Sequence, residues 1–425
     1  MPLPPLPWTG SAENRPPGRR TSDRRVLLTG AEYTGGLAAL RGLDRAGYET
    51  WVATTDQSSY GALSSAAAGV VPVIDPRVDG AGFARCLAGA AERIGARMVL
   101  PGTEAALLAL AEHRSLFPER VAVGAPDEQK VLRACDKNRL DSIVTAVGLT
   151  VPPTTRVALD DVNEVDVTFP AVVKPLQSEM RRDGRLERFE VVRVADRGGL
   201  VGALRDLPGQ VGLVQPYLAG ALRTVNGVAW DGEVVISVHK RATRTWPRDC
   251  GVVSYAHTIE PDAALDAGVR RLVAELGWSG LFNLQLIESD SGLHVIDLNP
   301  RVYHSLALAV AAGANLPAIW ADLLRGAKPL VQGYRTGSIF RAEDDIYAVV
   351  AGAISDRRPG QLAALRPRPS TTHAVFDVRD PRPTRALVSR VAKGVARKLT
   401  ERTGGRPETS ADADLRFPEP KPGGQ

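Results

Sequence analysis

Four short apolar runs near the start of the chain, separated by helical or turn-rich segments, constrain the fold more than any other feature. VLLT at 26–29 leads into GAEYTGG and then LAALRGLDRAG. YETWVAT follows, then GVVPVI at 69–74 and RMVLP at 97–101. Strands alternating with helices predict a parallel sheet, because two parallel strands need a crossover and the crossover is usually a helix. A Rossmann-like α/β domain is therefore expected over 25–124. The turn supplies Gly30, Gly35 and Gly36 but does not match GxGxxG. Its first reading is a tight strand-to-helix turn. Its second is an anion seat at a helix N-terminus.

The pattern changes after 124. GAPDEQKVLRACD reads as a turn and a helix, with Lys137 on its continuation, and the double proline of GLTVPPT forces extended chain. FPAVVKP (169–175) is a strand ending in Lys174. FEVVRVAD, a helical segment near 197–206 and VGLVQPYLAG come next. In TVNGVAWDGEVVISVHKR, Asp231-Gly232 marks a hairpin turn. A helix fits 262–276, and a second hairpin fits 281–298 around Ser289–Gly292. Past 330 a helix fits 343–354, and AVFDVRDPRPTRALVSRVAKG adds a strand and a helix. The expected class is α/β and α+β.

Composition narrows the function classes. The 425 residues are 44% hydrophobic and 24% charged, with three cysteines and no CxxC pair. That argues for a reducing compartment, the cytoplasm by default, and against disulfides or structural zinc. The net charge is +5, but the basic residues are scattered, so no nucleic-acid partner is expected. No apolar run reaches membrane-spanning length, so none is expected to cross a bilayer. Residues 1–24 read as a Pro/Arg-rich disordered leader and 399–425 as a disordered tail.

The chemistry concentrates in GLFNLQLIESDSGLHVIDLNPR (280–301). Asp297 and Asn299 are two apart on a strand and share a face. Gln285 lies across the hairpin, opposite Asp297 to within one position. Val295, Ile296 and Leu298 should anchor the strand beneath them. Three oxygen donors, one of them anionic, suit magnesium, which takes few protein ligands and fills its shell with phosphate and water. Arg301 could hold a phosphate or carboxylate by two hydrogen bonds. Lys174 ends an apolar strand, where a buried charge needs a partner. Lys240, Arg241 and Arg244 form a basic cluster after VVISVH. Ser305 and His304 begin the next helix, and Thr103 and Glu104 are weaker candidates from the first domain.

Taken with DKNRLDSIVTAVGLTVPPT (136–154), VQPYLAG (214–220), LPGTEAALLALAEHR (100–114) and the Gly-Ala-Asn-Leu-Pro stretch at 313–317, these motifs resemble the ATP-grasp superfamily, over roughly 25–330. The resemblance implies a Rossmann-like pre-ATP-grasp domain (25–124), a two-lobed ATP-grasp domain (125–330) and a C-terminal extension (331–398). It implies that Lys137 and Lys174 contact ATP phosphates and that Gln215 and Tyr217 lie by the adenine. Gln285, Asp297 and Asn299 would hold Mg2+, with Mn2+ as an alternative. Arg301, Lys240 and Arg241 would act at the reacting groups. The implied activity is a carboxylate–amine ligase working through an acyl phosphate on small molecules of the amino acid or peptide class. A phosphotransferase and a catalytically silent nucleotide-binding protein are the rival readings. The extension would cover the active site or form a homodimer contact. Four features depart from the common pattern. The phosphate-covering loop, PLQSEMRRDGRLERF, has one glycine and four arginines, Pro216 stands where an acid is common, and Asp297 stands where Glu is commoner. Gln285 also replaces an acid, as in the carbamoyl phosphate synthetase branch.

Overall fold

The computed structural model describes residues 22–403 other than Asp249. The expected leader and tail lie outside these residues, except for a 3-10 turn at Ser22–Arg24 and the end of the last helix, Pro381–Thr403. Five parallel strands come first: β1 (Arg25–Thr29), β2 (Glu49–Thr54), β3 (Gly69–Pro72), β4 (Met98–Leu100) and β5 (Ala122–Val123), in the order β3-β2-β1-β4-β5. The two faces of β1 feed separate cores. Val26 and Leu28 pack with Leu37, Leu40 and Leu43 of helix Thr34–Arg45, whereas Leu27 packs with Phe83 and Leu87 of helix Gly80–Ile94. A sheet covered on both faces explains why its strands read as continuous apolar runs.

The glycine-rich turn serves close packing. A Cβ on Gly35 would lie 2.4 Å from the Tyr303 carbonyl oxygen, and one on Gly36 would lie 2.1 Å from that of Gly30. Bare backbone is needed at both places.

A small antiparallel lobe follows: β6 (Thr155–Ala158), β7 (Ala171–Lys174), β8 (Glu179–Arg182), β9 (Arg185–Arg188), β10 (Val192–Val194) and β11 (Val211–Pro216). Its main sheet runs β10-β7-β11-β6 and has a core of its own, including Val157, Val173, Leu200 and Leu204. The glycine-poor loop is the β8–β9 hairpin. Asp183 (φ 50°) and Gly184 (φ 81°) make its turn, so its one glycine is used for the reversal.

The large lobe is a seven-stranded sheet of β12 (Ala221–Trp230), β13 (Glu233–Trp246), β14 (Val252–Thr258), β15 (Gly280–Ser289), β16 (Gly292–Asn299), β17 (Ile339–Arg341) and β18 (Thr371–His373). Its order is β16-β15-β12-β13-β14-β17-β18. The β12–β13 hairpin turns at Asp231-Gly232, with φ 48° and 81°.

The structure corrects three local expectations. Lys137 does not continue the preceding helix. That helix ends at Cys135, and Asp136, in extended conformation, accepts from the Asn138 and Arg139 amides to start a new helix at Lys137. Lys240, Arg241 and Arg244 lie inside β13, not after it. The strand near the C-terminus is Thr371–His373, upstream of AVFD. The last segment then straps back onto the first domain. Asp380 accepts from Arg41 Nε (3.0 Å) and Ser64 Oγ (2.6 Å), and Arg390 stacks over Tyr60 at 4.7 Å. Among the described residues, no single helix is long and apolar enough to cross a membrane.

Candidate active site

Three triplets in adjacent strands share one design. TVN (224–226) in β12, NLQ (283–285) in β15 and DLN (297–299) in β16 each place polar residues two apart with an apolar residue between them. Val225, Leu284 and Leu298 point into one core. The polar members line up on the other face: Thr224 with Gln285 and Asp297, and Asn226 with Asn283 and Asn299. Lys240 of β13 extends the first row, opposite Thr224. Within this floor, Thr224 Oγ1 donates to Asn226 Oδ1 (3.1 Å), and Asn226 Nδ2 donates to Asn283 Oδ1.

The pairing of β15 with β16 shifts between Gln285 and Leu286, so Ile296 has no cross-strand partner. This bulge moves Ile296 out of the core, correcting its expected role as an anchor; its side chain lines a cavity. Its carbonyl accepts a 2.7 Å hydrogen bond from Lys174 Nζ. Lys137 Nζ bonds to Asp297 Oδ1, and Asn299 Nδ2 donates to Asp297 Oδ2 (3.0 Å). Burial raises the Asp297 carboxyl, but Lys137, Lys174 and Arg301 outweigh it and hold the group below its ordinary value. Burial depresses Lys174 to about 8, partly countered by Asp297.

The cavity between the small lobe and the seven-stranded sheet has a volume of about 810 Å³. It brings together Lys137, Lys174, Gln215, Tyr217, Arg241, Gln285 and Asp297. Asn299, Arg301 and Lys240 do not line it. Arg301 lies two residues beyond Asn299 and donates to Asn299 Oδ1 and to the Val302 carbonyl, both at 2.9 Å. Its Nε is 3.7 Å from Glu104 Oε2, so the first domain reaches this edge of the site. Burial raises the Glu104 carboxyl, opposed by Arg301 and Lys137. Lys240 is 2% exposed, donates to Ser305 Oγ and lies 4.5 Å from the Tyr303 ring centre; burial depresses it to about 7. Arg241 pairs with Glu288 at 3.1 Å. Gln215 Nε2 donates to Thr154 Oγ1 (2.8 Å), which donates to Asp141 (2.6 Å).

An antiparallel small lobe and a mainly antiparallel large one closing on a cationic and oxygen-rich cavity, behind a doubly wound parallel domain, decide the architecture. The fold is that of the ATP-grasp superfamily. Residues 210–342 match the family described as ATP-grasp in the biosynthetic pathway with Ter operon. The carbamoyl phosphate synthase large chain of Vibrio cholerae is 25% identical over 240 residues, 52% of this chain and 21% of that one. The chain thus spans only about a fifth (21%) of the length of the curated relatives it matches. Among solved structures, the L-amino acid ligase from Bacillus licheniformis superposes with a TM-score of 0.55 at 18% identity, covering 72% of this chain and 74% of that one. Biotin carboxylase from Campylobacter jejuni, in a β,γ-ATP complex, gives 0.56 at 14% identity, covering 74% of each.

On this ATP-grasp frame, several cavity and floor residues escaped the sequence reading. Thr224, Asn226 and Asn283 complete the polar floor, and their period-two placement in buried strands was the available signal. Ala348, Val349 and Gly352 line the cavity from helix Asp345–Ser355, in the C-terminal extension. That helix is anchored by Asp345, fully buried and forked by Arg244 through two 2.7 Å hydrogen bonds. No signal in the apolar sequence of the helix distinguished a cavity wall from core.

The donor set can be tested against magnesium. Among the described residues, no group of three or more His, Cys, Asp or Glu side chains could hold a metal. One carboxylate (Asp297) with the amide oxygens of Asn299 and Gln285 fits an ion that arrives with a triphosphate and keeps part of its water, as magnesium does.

Proposed function

We propose that this chain is an ATP- and Mg2+-dependent ligase that activates a carboxylate as an acyl phosphate and joins it to an amine, releasing ADP and phosphate. The observation that carries the reading is the convergence of Lys137 and Lys174 on Asp297 and its strand at the floor of the interlobe cavity. The likeness to the ATP-grasp relatives supports it. The substrates are small carboxylates and amines, of the amino acid or peptide class.

Each residue then has a task. Lys174 and Lys137 meet the triphosphate, and Lys137 exchanges its bond to Asp297 for a phosphate oxygen. Asp297, with Asn299 and Gln285, would hold the magnesium, which supplies neutralising charge to the phosphates. Arg301, fixed by Asn299, steadies the carboxylate as one of its oxygens attacks the γ-phosphorus and ADP leaves. Catalysis here is positioning and electrostatics. Gln215 and Tyr217 border the adenine, and Lys240 and Arg241 shape the floor beside the reacting groups. The amine then displaces phosphate from the acyl carbon in a closed site that excludes water.

ADP release with a panel of carboxylates and amines, with products identified by mass spectrometry, tests the reading. An amide product that disappears in Asp297→Ala supports it. No turnover with any pair sinks it, and a stable phosphorylated product assigns the chain to phosphotransfer instead.

A further inference from the structure

The β8–β9 hairpin meets the first domain through one buried ion pair. Arg77, in the loop after β3, forks onto Glu179 of β8, with Nε–Oε2 at 3.1 Å and Nη2–Oε1 at 2.8 Å. The main chain adds a bond to β9, because the Leu186 N–H donates to the Arg77 carbonyl at 2.9 Å. Arg77 therefore holds both strands of the hairpin.

The hairpin's other outside tie is to the small lobe, where Arg182 donates to the Asp206 carbonyl. Of its eight strand residues (179–182 and 185–188), Glu179 is the one that is buried. The element has no apolar face to bury, so its position depends on polar contacts. A carboxylate taken out of water in this way costs free energy unless its partner is in place.

The other side of Arg77 leads to the active site. The Tyr33 hydroxyl stands beside its guanidinium. Tyr33 belongs to the glycine-rich turn, where Thr34 Oγ1 is 2.7 Å from His304 Nδ1 and Gly35 is pressed against Tyr303. Arg301, Asn299 and Asp297 follow within a few residues. Glu179 is also close enough to Glu104 to raise its carboxyl. The hairpin, Arg77, the turn and the strand ending in Asn299 are thus linked by a run of contacts along the edge of the site that faces the first domain.

We propose that Arg77 is a positioning residue for the ligase reaction, acting through Glu179 to latch the hairpin shut against the first domain and so protect the acyl phosphate from water. The proposal rests on the ligase reading. In the productive path, the amine nitrogen bonds to the acyl carbon and gives up a proton as the carbon–oxygen bond to phosphate breaks. In the wasteful path, water displaces the same phosphate and regenerates the carboxylate, so ATP is consumed without product. The glycine-rich turn is the latch's footing.

Hydrogen exchange of the full-length chain, read by mass spectrometry, tests the latch. Arg77→Ala and Glu179→Gln should each speed exchange across 179–188 by about tenfold, with β1 and β2 unchanged. The double variant should exchange no faster than either single one, because the two groups act as a pair. Unchanged exchange in 179–188, or additive effects, overturns the proposal. Partition is read with the common amino acids as carboxylates and hydroxylamine as the amine. The ratio of ADP to hydroxamate should rise about fivefold in both single variants and less in Arg77→Lys; an unchanged ratio overturns the protective role. If the wild-type chain forms no hydroxamate, the ligase reading fails and the positioning role with it, while exchange still reports on the latch itself. Should Arg77→Ala lose its melting transition, Glu179→Gln, on the hairpin, carries both measurements.

Discussion

Lys240→Met should make the chain more stable at pH 6 and less stable at pH 9.5. Lys240 is fully surrounded, donates to Ser305 Oγ, and has burial as the cause of its depression from 10.5 to about 7. A base depressed in the fold is costly wherever the unfolded chain holds its proton. The cost is fully present below about pH 7 and vanishes as pH rises toward 10.5. A difference of about 3.5 pH units at 1.36 kcal/mol each gives about 5 kcal/mol at low pH. At pH 9.5 about 1.4 kcal/mol of it is left. Methionine removes this cost but strands Ser305 Oγ and loses the contact with the Tyr303 ring, together about 2–4 kcal/mol. The balance is a gain of about 1–3 kcal/mol at pH 6 and a loss of about 0.5–2.5 kcal/mol at pH 9.5. Urea midpoints of both proteins, measured across this range, check it. Other titrating groups cancel in the difference except His304, whose depression the Lys240 charge deepens, so the comparison is made in a His304→Asn background. A variant destabilised at pH 6, or a difference that does not move with pH, refutes the account of Lys240 as a buried cation without a carboxylate partner.

Asp297→Asn keeps the shape of the side chain but removes its charge, and should lower ATP turnover by about 10²–10³-fold, measured by coupled ADP release with saturating magnesium. Gly35→Ala puts a Cβ 2.4 Å from the Tyr303 carbonyl oxygen; a loss of about 2 kcal/mol is expected from overpacking against backbone, read as a lower melting temperature. Asp345→Ala leaves Arg244 and Arg341 without the buried carboxylate they share. It should cost about 2–4 kcal/mol and speed hydrogen exchange in helix Asp345–Ser355. Burial, then the Lys240 charge, depresses His304 to about 4. The unfolded chain therefore binds this proton first, and stability should fall by about 3 kcal/mol between pH 6.5 and 4. Replacement by Asn should flatten that slope in acid unfolding.

Strand-level structure was legible wherever the residue pattern and the burial pattern coincide. The apolar runs of β1, β2 and β4 are buried on both faces, so nothing in the sequence competes with the strand reading. Asp231-Gly232 predicted its hairpin because a turn with two positive φ angles needs those residues. Legibility failed where a single residue changes register or direction. Asp136 reads as helix interior, yet it caps a new helix through its carboxylate. Ile296 reads as core, yet a bulge turns it into the cavity, and a bulge leaves no mark in a run as apolar as Val-Ile. The second reading of the glycine-rich turn, an anion seat, drew on its composition, whereas Gly30 and Gly35 answer to the backbone of Gly102 and Tyr303, more than seventy residues away in the chain, and Gly36 to Gly30 within the turn. Long-range contacts of that kind are absent from local pattern by their nature.

The three triplets carry a more general argument about the floor of the cavity. A four-strand row running from Lys240 through Thr224 and Gln285 to Asp297, with the asparagines beside it, takes amides, a hydroxyl and charges out of water. Apolar residues of similar size would pack there at no such cost. The amide pairs recover part of the cost by bonding to each other, and a satisfied network is rigid. Rigidity alone, however, would not require ions. Asp297 and Lys137 have each other, but Lys240 has a hydroxyl and an aromatic ring in place of a carboxylate, and Arg301 lies 3.7 Å from Glu104, whose Oε1 has no partner among the described residues. The charges thus grow less well matched from the lysine–aspartate pair toward Arg301 and residues 303–305. A floor satisfied at one end and short of partners at the other is what a site needs when it must hold a triphosphate firmly and still exchange the groups that react with it.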